Sequence, residues 1–306
     1  MDASDKADVL LEALPYLLAF RGTRTVVKLG GSAMEDPDAL RATLQDVIFL
    51  ATAGLRPVLV HGGGRPIDRA MSAAGLKPVK VQGRRYTDDA TLGIVVRVLR
   101  DEVNADIVRR LRDLGGRAVG LHSGALEALY GERLALPGGD GRPIDLGRVG
   151  RVTRIDRPLI DDLTTAGVVP VIPSLAQDAD GGWLNVNADT AAAAVAMNLQ
   201  AAKLVFLSDI PGVLRDRRDP GSRIGTLDPA GCAALIADGT IDAGMIPKVE
   251  AGLESLRAGV GKVHLLDGRL RHALLLEVFT DQGVGTQIVR DAGAAANPVA
   301  PASPCR

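Results

Sequence analysis

Short runs of aliphatic and β-branched residues recur along the chain, and each empties into glycine or a small polar residue. Thr25-Val26-Val27-Lys28-Leu29 meets Gly30-Gly31, and Pro57-Val58-Leu59-Val60 meets His61-Gly62-Gly63-Gly64. Val168 to Ile172 meets Pro173-Ser174, and Lys203 to Leu207 meets Ser208-Asp209. Runs this apolar, with little polar alternation, fit strands buried on both faces, as in a parallel sheet. Between them the spacing becomes helical. Asp38 to Ala53 follows Asp36-Pro37, which reads as an N-cap and a first-turn proline. Leu92 to Leu114 is one long amphipathic stretch ending at Gly115-Gly116. Ala188 to Leu199 is alanine-rich and opens on Asn187, and Pro247 to Ala258 follows Gly244-Met245-Ile246. This alternation predicts an α/β fold with an open, mainly parallel sheet sandwiched by helices. Ligands in such folds sit beyond the carboxyl ends of the strands, where the glycine turns fall.

Other segments break the pattern. Gly138 to Gly150 is glycine-rich and polar and reads as a hairpin excursion, and Gln177 to Gly182 reads as a lobe boundary. The expected division is an N-terminal helix over 1–22, lobes over 23–177 and 178–290, and a disordered Ala/Pro-rich tail over 291–306. Ala7 to Phe20 carries Leu10, Leu11, Leu14, Leu17 and Leu18 on a helical stripe that must bury against something, within the chain or outside it.

Composition narrows the picture. Apolar residues are 46% and aromatics only 3%, so the core has to be built from Val, Leu, Ile and Ala. Lys+Arg is 36 against Asp+Glu 37, which gives no global field for nucleic acid or a membrane surface. Cys232 and Cys305 have no metal or disulfide spacing, which fits a reducing, cytoplasmic setting. Asp2, Asp5 and Asp8 are unlike the basic start of a signal peptide, and no apolar run is long enough to span a bilayer. His61, His122, His264 and His272 lack metal spacing and read as structural, so no protein-held metal is expected.

The two glycine turns are the strongest chemical signal. Clustered glycines let backbone N–H groups converge on a phosphate, although tight strand-to-helix turns use them too. Neither turn is a P-loop or a dinucleotide fingerprint: Gly261-Lys262 is followed by Val263, and Gly62-Gly63-Gly64 runs on to Arg65-Pro66. Lys28 lies inside an apolar strand, where an ammonium needs an anion at the strand end or a route to water. Lys248 lies at a helix start, where a cation opposes the helix dipole. Asn185, Asn187 and Asp189 alternate along what reads as an extended segment, which would place all three on one side; N-capping of the alanine helix is the competing reading.

Five motifs in order carry a family resemblance: Val27-Lys28-Leu29-Gly30-Gly31, Val60-His61-Gly62-Gly63-Gly64, Leu184-Asn185-Val186-Asn187-Ala188-Asp189, Leu207-Ser208-Asp209-Ile210-Pro211-Gly212-Val213 and Gly244-Met245-Ile246-Pro247-Lys248-Val249. Together they resemble the amino-acid kinase family, and within it the N-acetylglutamate kinases, over about Ala7 to Val289. The resemblance implies an eight-stranded-type sheet in three layers. It also implies ATP with Mg²⁺ and N-acetyl-L-glutamate as substrates, and Lys28, Lys248 and Asp189 as the catalytic set. Gly63, Gly64, Arg85, Asn185 and Asn187 would bind the acyl-amino acid. Gly30, Gly31, Ser208, Asp209, Gly212, Val213, Leu214, Thr240, Ile241 and Asp242 would line the nucleotide site. The N-terminal helix resembles that of arginine-inhibited members, which implies an interlaced homohexamer, a trimer of dimers, and an L-arginine site at Tyr16, Lys203, Glu277, Gly283 and Gly285. Arg85-Tyr86-Thr87-Asp88 instead resembles related kinases of aminoadipate derivatives, which keeps a longer acyl chain as an alternative. A non-catalytic arginine sensor is another. Gly120 to Ala125 also departs from the family's usual Gly-Lys-Asp ending.

Overall fold

A computed structural model describes residues 3–122, 126–137, 142–242, 244–279 and 283–291. Among them, eight strands form one open sheet: β1 (Arg24–Leu29), β2 (Arg56–His61), β3 (Ala118–Gly120), β4 (Val169–Pro173), β5 (Lys203–Ser208), β6 (Thr226–Leu227), β7 (Lys262–Asp267) and β8 (Thr286–Ile288). Their order is β6-β8-β7-β5-β1-β2-β4-β3. Every pair is parallel except β7 with β8. β1 lies in the middle, with Lys28 level with Phe206 of β5 and Val60 of β2.

The period of two sorts the side chains of β1 between two cores. Val26 packs with Val60, Phe206 and Leu265 beneath α6 (Arg157–Thr165), α7 (Ala188–Leu199) and α9 (Ile246–Arg257). Val27 and Leu29 pack with Leu59, Val205 and Leu207 beneath α2 (Pro37–Thr52), α5 (Ala105–Asp113) and α10 (Ala273–Val278). The result is a three-layer α/β/α sandwich. Lys28 shares the parity of Val26 and so projects toward α7. The alanines of α7, buried from Ala191 to Ala196, let that helix lie close on the sheet.

Local signals explain several boundaries. Asp36 accepts from the N–H groups of Asp38 and Ala39 and caps α2, as the sequence predicts. The long helix expected over Leu92–Leu114 is present as one continuous helical run, Asp89 to Asp113, but its winding changes along the way. α4 (Asp89–Val96) is capped by Asp88, the middle stretch Arg97–Asn104 is π-helical, and α5 follows. The wider π turn rotates Val98, Leu99 and Asn104 inward together. The polar excursion contains a small antiparallel pair, Leu136–Pro137 with Pro143–Ile144, while 138–141 lie outside the described residues. A second, four-stranded unit is built from Leu129–Arg133, Val149–Ile155, Leu175–Gln177 and Trp183–Val186. The tail over 292–306 and Ser123 to Ala125 also fall outside the described residues.

α1 (Ala3–Phe20) precedes the sheet, and α8 (Pro229–Ala237) follows β6. Tyr16 is buried and meets the Phe279 ring edge-on at 6.3 Å, while Leu11, Leu14 and Leu18 are exposed at 62%, 43% and 66%. Among the described residues no helix is long and apolar enough to cross a membrane.

Candidate functional site

The catalytic candidates meet at the carboxyl edge of the sheet. Lys28 is buried on β1, and its Nζ lies 2.8 Å from Asp189 Oδ1. Lys248, in the first turn of α9, places its Nζ 3.4 Å from Asp189 Oδ2. Each lysine thus has the anion its position demands, and it is the same one. Burial alone would raise the Asp189 carboxyl, but Lys28 and then Lys248 outweigh it and hold the group below its usual range. One carboxylate shared by two ammonium groups leaves a net positive site next to the glycine turns, suited to an incoming anion.

The glycine turns close around this pair. Gly30 donates its N–H to Leu207 O at 2.9 Å, so that amide is spent on the sheet. A Cβ on Gly30 would come within 2.5 Å of the same oxygen, which explains the glycine by close packing instead of by ligand contact. The N–H groups of Gly31 and Gly63 make no hydrogen bond among the described residues. Gly62 lies against the start of α7, where a Cβ would be 3.0 Å from that of Ala188. Gly63 has no room for a side chain, since a Cβ there would be 2.7 Å from Leu99 Cδ2. Gly64 opens α3 (Gly64–Ala73), which adds a helix N-terminus beside the two lysines.

The acyl-amino-acid candidates form a chain of contacts. Asn185 donates to Thr87 Oγ1 at 3.0 Å, and Thr87 donates to Arg85 O at 2.9 Å. The Arg85 guanidinium reaches Asp68 at 2.5 Å and Gly64 O at 3.4 Å. Asn187 differs from expectation. The chain leaves the extended conformation at Ala188, so Asn187 and Asp189 do not lie along one strand. The Asn187 side chain accepts from Asp189 N and Thr190 N and caps α7. Its role here is to start the helix that carries Asp189.

The nucleotide candidates divide. Ser208 ends β5 and is buried, Asp209 is exposed, and Leu214 and Thr240 are half-buried. Val213 donates to Thr286 Oγ1 at 2.8 Å, with Gly212 packed against the same threonine. Val213 and Ile241 are core residues, at 0% and 1% exposure, and their side chains face the interior. Asp242 accepts from Gly244 N and Met245 N, and pairs with Arg217 at 2.9 Å. Among the described residues no group of three or more His, Cys, Asp or Glu converges to hold a metal ion.

The effector candidates also gather, beside α1. Lys203 is buried, with its Nζ 4.2 Å from the Phe20 ring centre. Glu277 accepts from His264 Nδ1 at 2.7 Å and from the N–H groups of Val284 and Gly285 at 2.7 and 3.1 Å. Gly283 stands against its carboxylate. The sequence did not flag His264 as a partner, because it sits on a strand and Glu277 on a helix.

Residues 23–267 match the model of the Amino acid kinase family. The chain belongs to the amino acid kinase family. It is 44% identical over 95% of its length to the acetylglutamate kinase of Heliobacterium modesticaldum, covering 100% of that protein. It is also 44% identical over 94% of its length to the acetylglutamate kinase of Synechococcus elongatus, covering 93% of it. Among solved structures, N-acetylglutamate synthase from Neisseria gonorrhoeae complexed with coenzyme A and N-acetyl-glutamate is similar (TM-score 0.81, 28% identity, 92% of this chain). The same synthase complexed with coenzyme A and L-arginine gives a TM-score of 0.78 at 26% identity over 92% of this chain. This amino acid kinase family chain spans only 63% of the first synthase chain and 64% of the second.

Proposed function

We propose that this chain transfers the γ-phosphate of MgATP to the γ-carboxylate of N-acetyl-L-glutamate, giving an acyl phosphate and ADP. The observation that carries the reading is the convergence of Lys28 and Lys248 on Asp189 beside the glycine turns. The carboxylate oxygen attacks the γ-phosphorus, the bond to the bridging oxygen breaks, and its electron pair leaves on ADP. The attacking group is already anionic, so no strong general base is required. The work is in-line placement and charge neutralisation. Lys28 and Lys248 would neutralise the transferring phosphoryl group, Asp189 would hold them apart, and the Gly31 and Gly63 amides would complete the cradle. Mg²⁺ would enter as part of the nucleotide. Arg85 would exchange Asp68 for the substrate carboxylate, and Asn185 would hold the substrate's amino-acid end. The test is MgATP turnover with hydroxylamine trapping of the acyl phosphate, run on N-acetylglutamate and on N-acetylaminoadipate. A higher kcat/KM on the longer acid would replace the substrate, and no hydroxamate from either acid would remove the activity.

Feedback inhibition by L-arginine and a homohexamer belong to the same reading. Its supports are the exposed Leu11, Leu14 and Leu18 stripe on α1 and the grouping of Tyr16, Lys203 and Glu277 at the base of that helix. Deleting residues 1–22 is expected to convert hexamers to dimers and abolish most of the arginine response. Unchanged mass by light scattering would count against the interlaced helix.

A further inference from the structure

A buried polar pair lies directly under the Gly62-Gly63-Gly64 turn, and the chemistry above makes no use of it. His61 ends β2 with 0% exposure, and its Nδ1 is 3.0 Å from Gly62 O. A carbonyl can only accept, so Nδ1 carries the proton. Nε2 is then a lone pair, and Asn104 Nδ2 sits 2.9 Å from it. The same Nδ2 lies 3.0 Å from Val171 O, which also requires a donor, so both contacts fix the amide in one orientation. Burial pushes the imidazole down to about 4, which keeps the ring neutral through the neutral range and leaves the tautomer to be set by the Gly62 O and Asn104 contacts. Asn104 reaches His61 because it closes the π-helical segment, whose Leu99 and Val103 also press on Gly63. π-helical turns inside α-helices recur at functional sites.

We infer that His61 is a positioning residue for the acyl-amino-acid loop, held in one tautomer by Asn104 so that its Nδ1–H fixes the Gly62–Gly63 peptide plane. In a planar trans peptide the C=O and the next N–H point in opposite directions. No peptide bond among the described residues is cis. With Gly62 O drawn inward to the imidazole, the Gly63 N–H points away from His61, toward the ligand side. The π-helical segment is thus the brace that aims this amide. The kinetic part of the inference rests on the proposed kinase reading; the structural part does not.

His61→Leu and His61→Asn separate the claim from mere packing. Both lose the ring and the contact with Asn104, but asparagine keeps a donor near the Nδ1 position. His61→Leu is expected to lower kcat/KM for N-acetylglutamate by about tenfold to a hundredfold, the scale of a small misplacement, with KM for MgATP nearly unchanged. His61→Asn should recover most of the loss. Equal losses in the two variants would overturn the role, as would a long-range ¹H–¹⁵N spectrum of the wild-type full chain showing the proton on Nε2. Independently of turnover, the Gly63 amide resonance should move clearly further in His61→Leu than in His61→Asn, so the positioning claim is decided even if the wild-type protein phosphorylates no acyl-amino acid. If His61→Leu fails to fold, Asn104→Leu serves: a changed tautomer with unchanged kcat/KM would overturn the inference, and a changed tautomer with the expected fall would support it.

Discussion

Replacing Lys28 by alanine is expected to lower kcat by about a hundredfold to a thousandfold, the scale of losing one group that stabilises transition-state charge. KM should change much less, because the group's contribution grows as charge develops. Lys248→Ala should behave alike. The folded state tolerates either change because Asp189 keeps one partner: Lys248 at 3.4 Å in the first variant and Lys28 at 2.8 Å in the second. Removing both would leave a buried carboxylate alone, a loss of about 3–5 kcal/mol. The double variant is therefore the poor experiment, and the two singles are the informative ones. Steady-state kinetics with thermal melts of each single variant check this. Near-normal turnover in both, with intact folding, would take the lysines out of the mechanism.

The parts of this site that were legible in the sequence share one property: their chemistry is expensive unless answered. A lysine in the apolar run Thr25–Leu29 demanded an anion, and the structure supplies Asp189. Asp36-Pro37 reads as a helix start because the N-cap carboxylate and the first-turn proline answer the free amides there, and Asp36 does cap α2. Four of the eight strands of the large sheet, β1, β2, β4 and β5, were legible because burial on both faces leaves little room for polar residues. The four-stranded unit was legible only in part: the turn-rich 178–182 marks the local hairpin of Leu175–Gln177 with Trp183–Val186, whereas Leu129–Arg133 and Val149–Ile155 are partly exposed, pair with a register shift and form no apolar run. The π-helical segment was invisible because one widened turn leaves the amphipathic pattern of Leu92–Leu114 almost intact. The extended reading of Asn185 to Asp189 failed for a related reason. Alternation over five residues cannot tell a strand from a strand that ends in a helix cap, and Asn187 is the cap. Ile241 and Val213 show the limit of position-by-position inference: a residue can sit within a segment expected to bind a ligand while its own side chain packs into the core.

Glu277→Ala should be the most destabilising single change at the effector cluster. The carboxylate and His264 are 6% and 3% exposed, and the carboxylate also holds the Val284 and Gly285 amides. Removing one partner of so buried a set costs about 3–5 kcal/mol, a fall in Tm on the order of 10 °C for a chain of this size. The effect has a pH signature. Burial alone would raise the Glu277 carboxyl, but the His264 contact and the two amides overcome it and bring it from 4.5 down to about 2. The folded value lies below the unfolded one, so the stabilisation is fully present above about pH 4.5 and is lost as pH falls through about 2. Denaturant melts at pH 7, 4.5 and 3 should show the wild-type chain losing stability across that window, and Glu277→Ala should show a shallower slope. Equal slopes, or a loss below about 1 kcal/mol at pH 7, the scale of an exposed ion pair, would mean that this carboxylate is not the linchpin of the cluster. Because the same group is the proposed guanidinium partner, bound arginine would have to share oxygens that His264 and the two amides already hold. Glu277→Gln keeps the shape and removes the charge, so it should weaken the arginine response while costing the fold less than Glu277→Ala does.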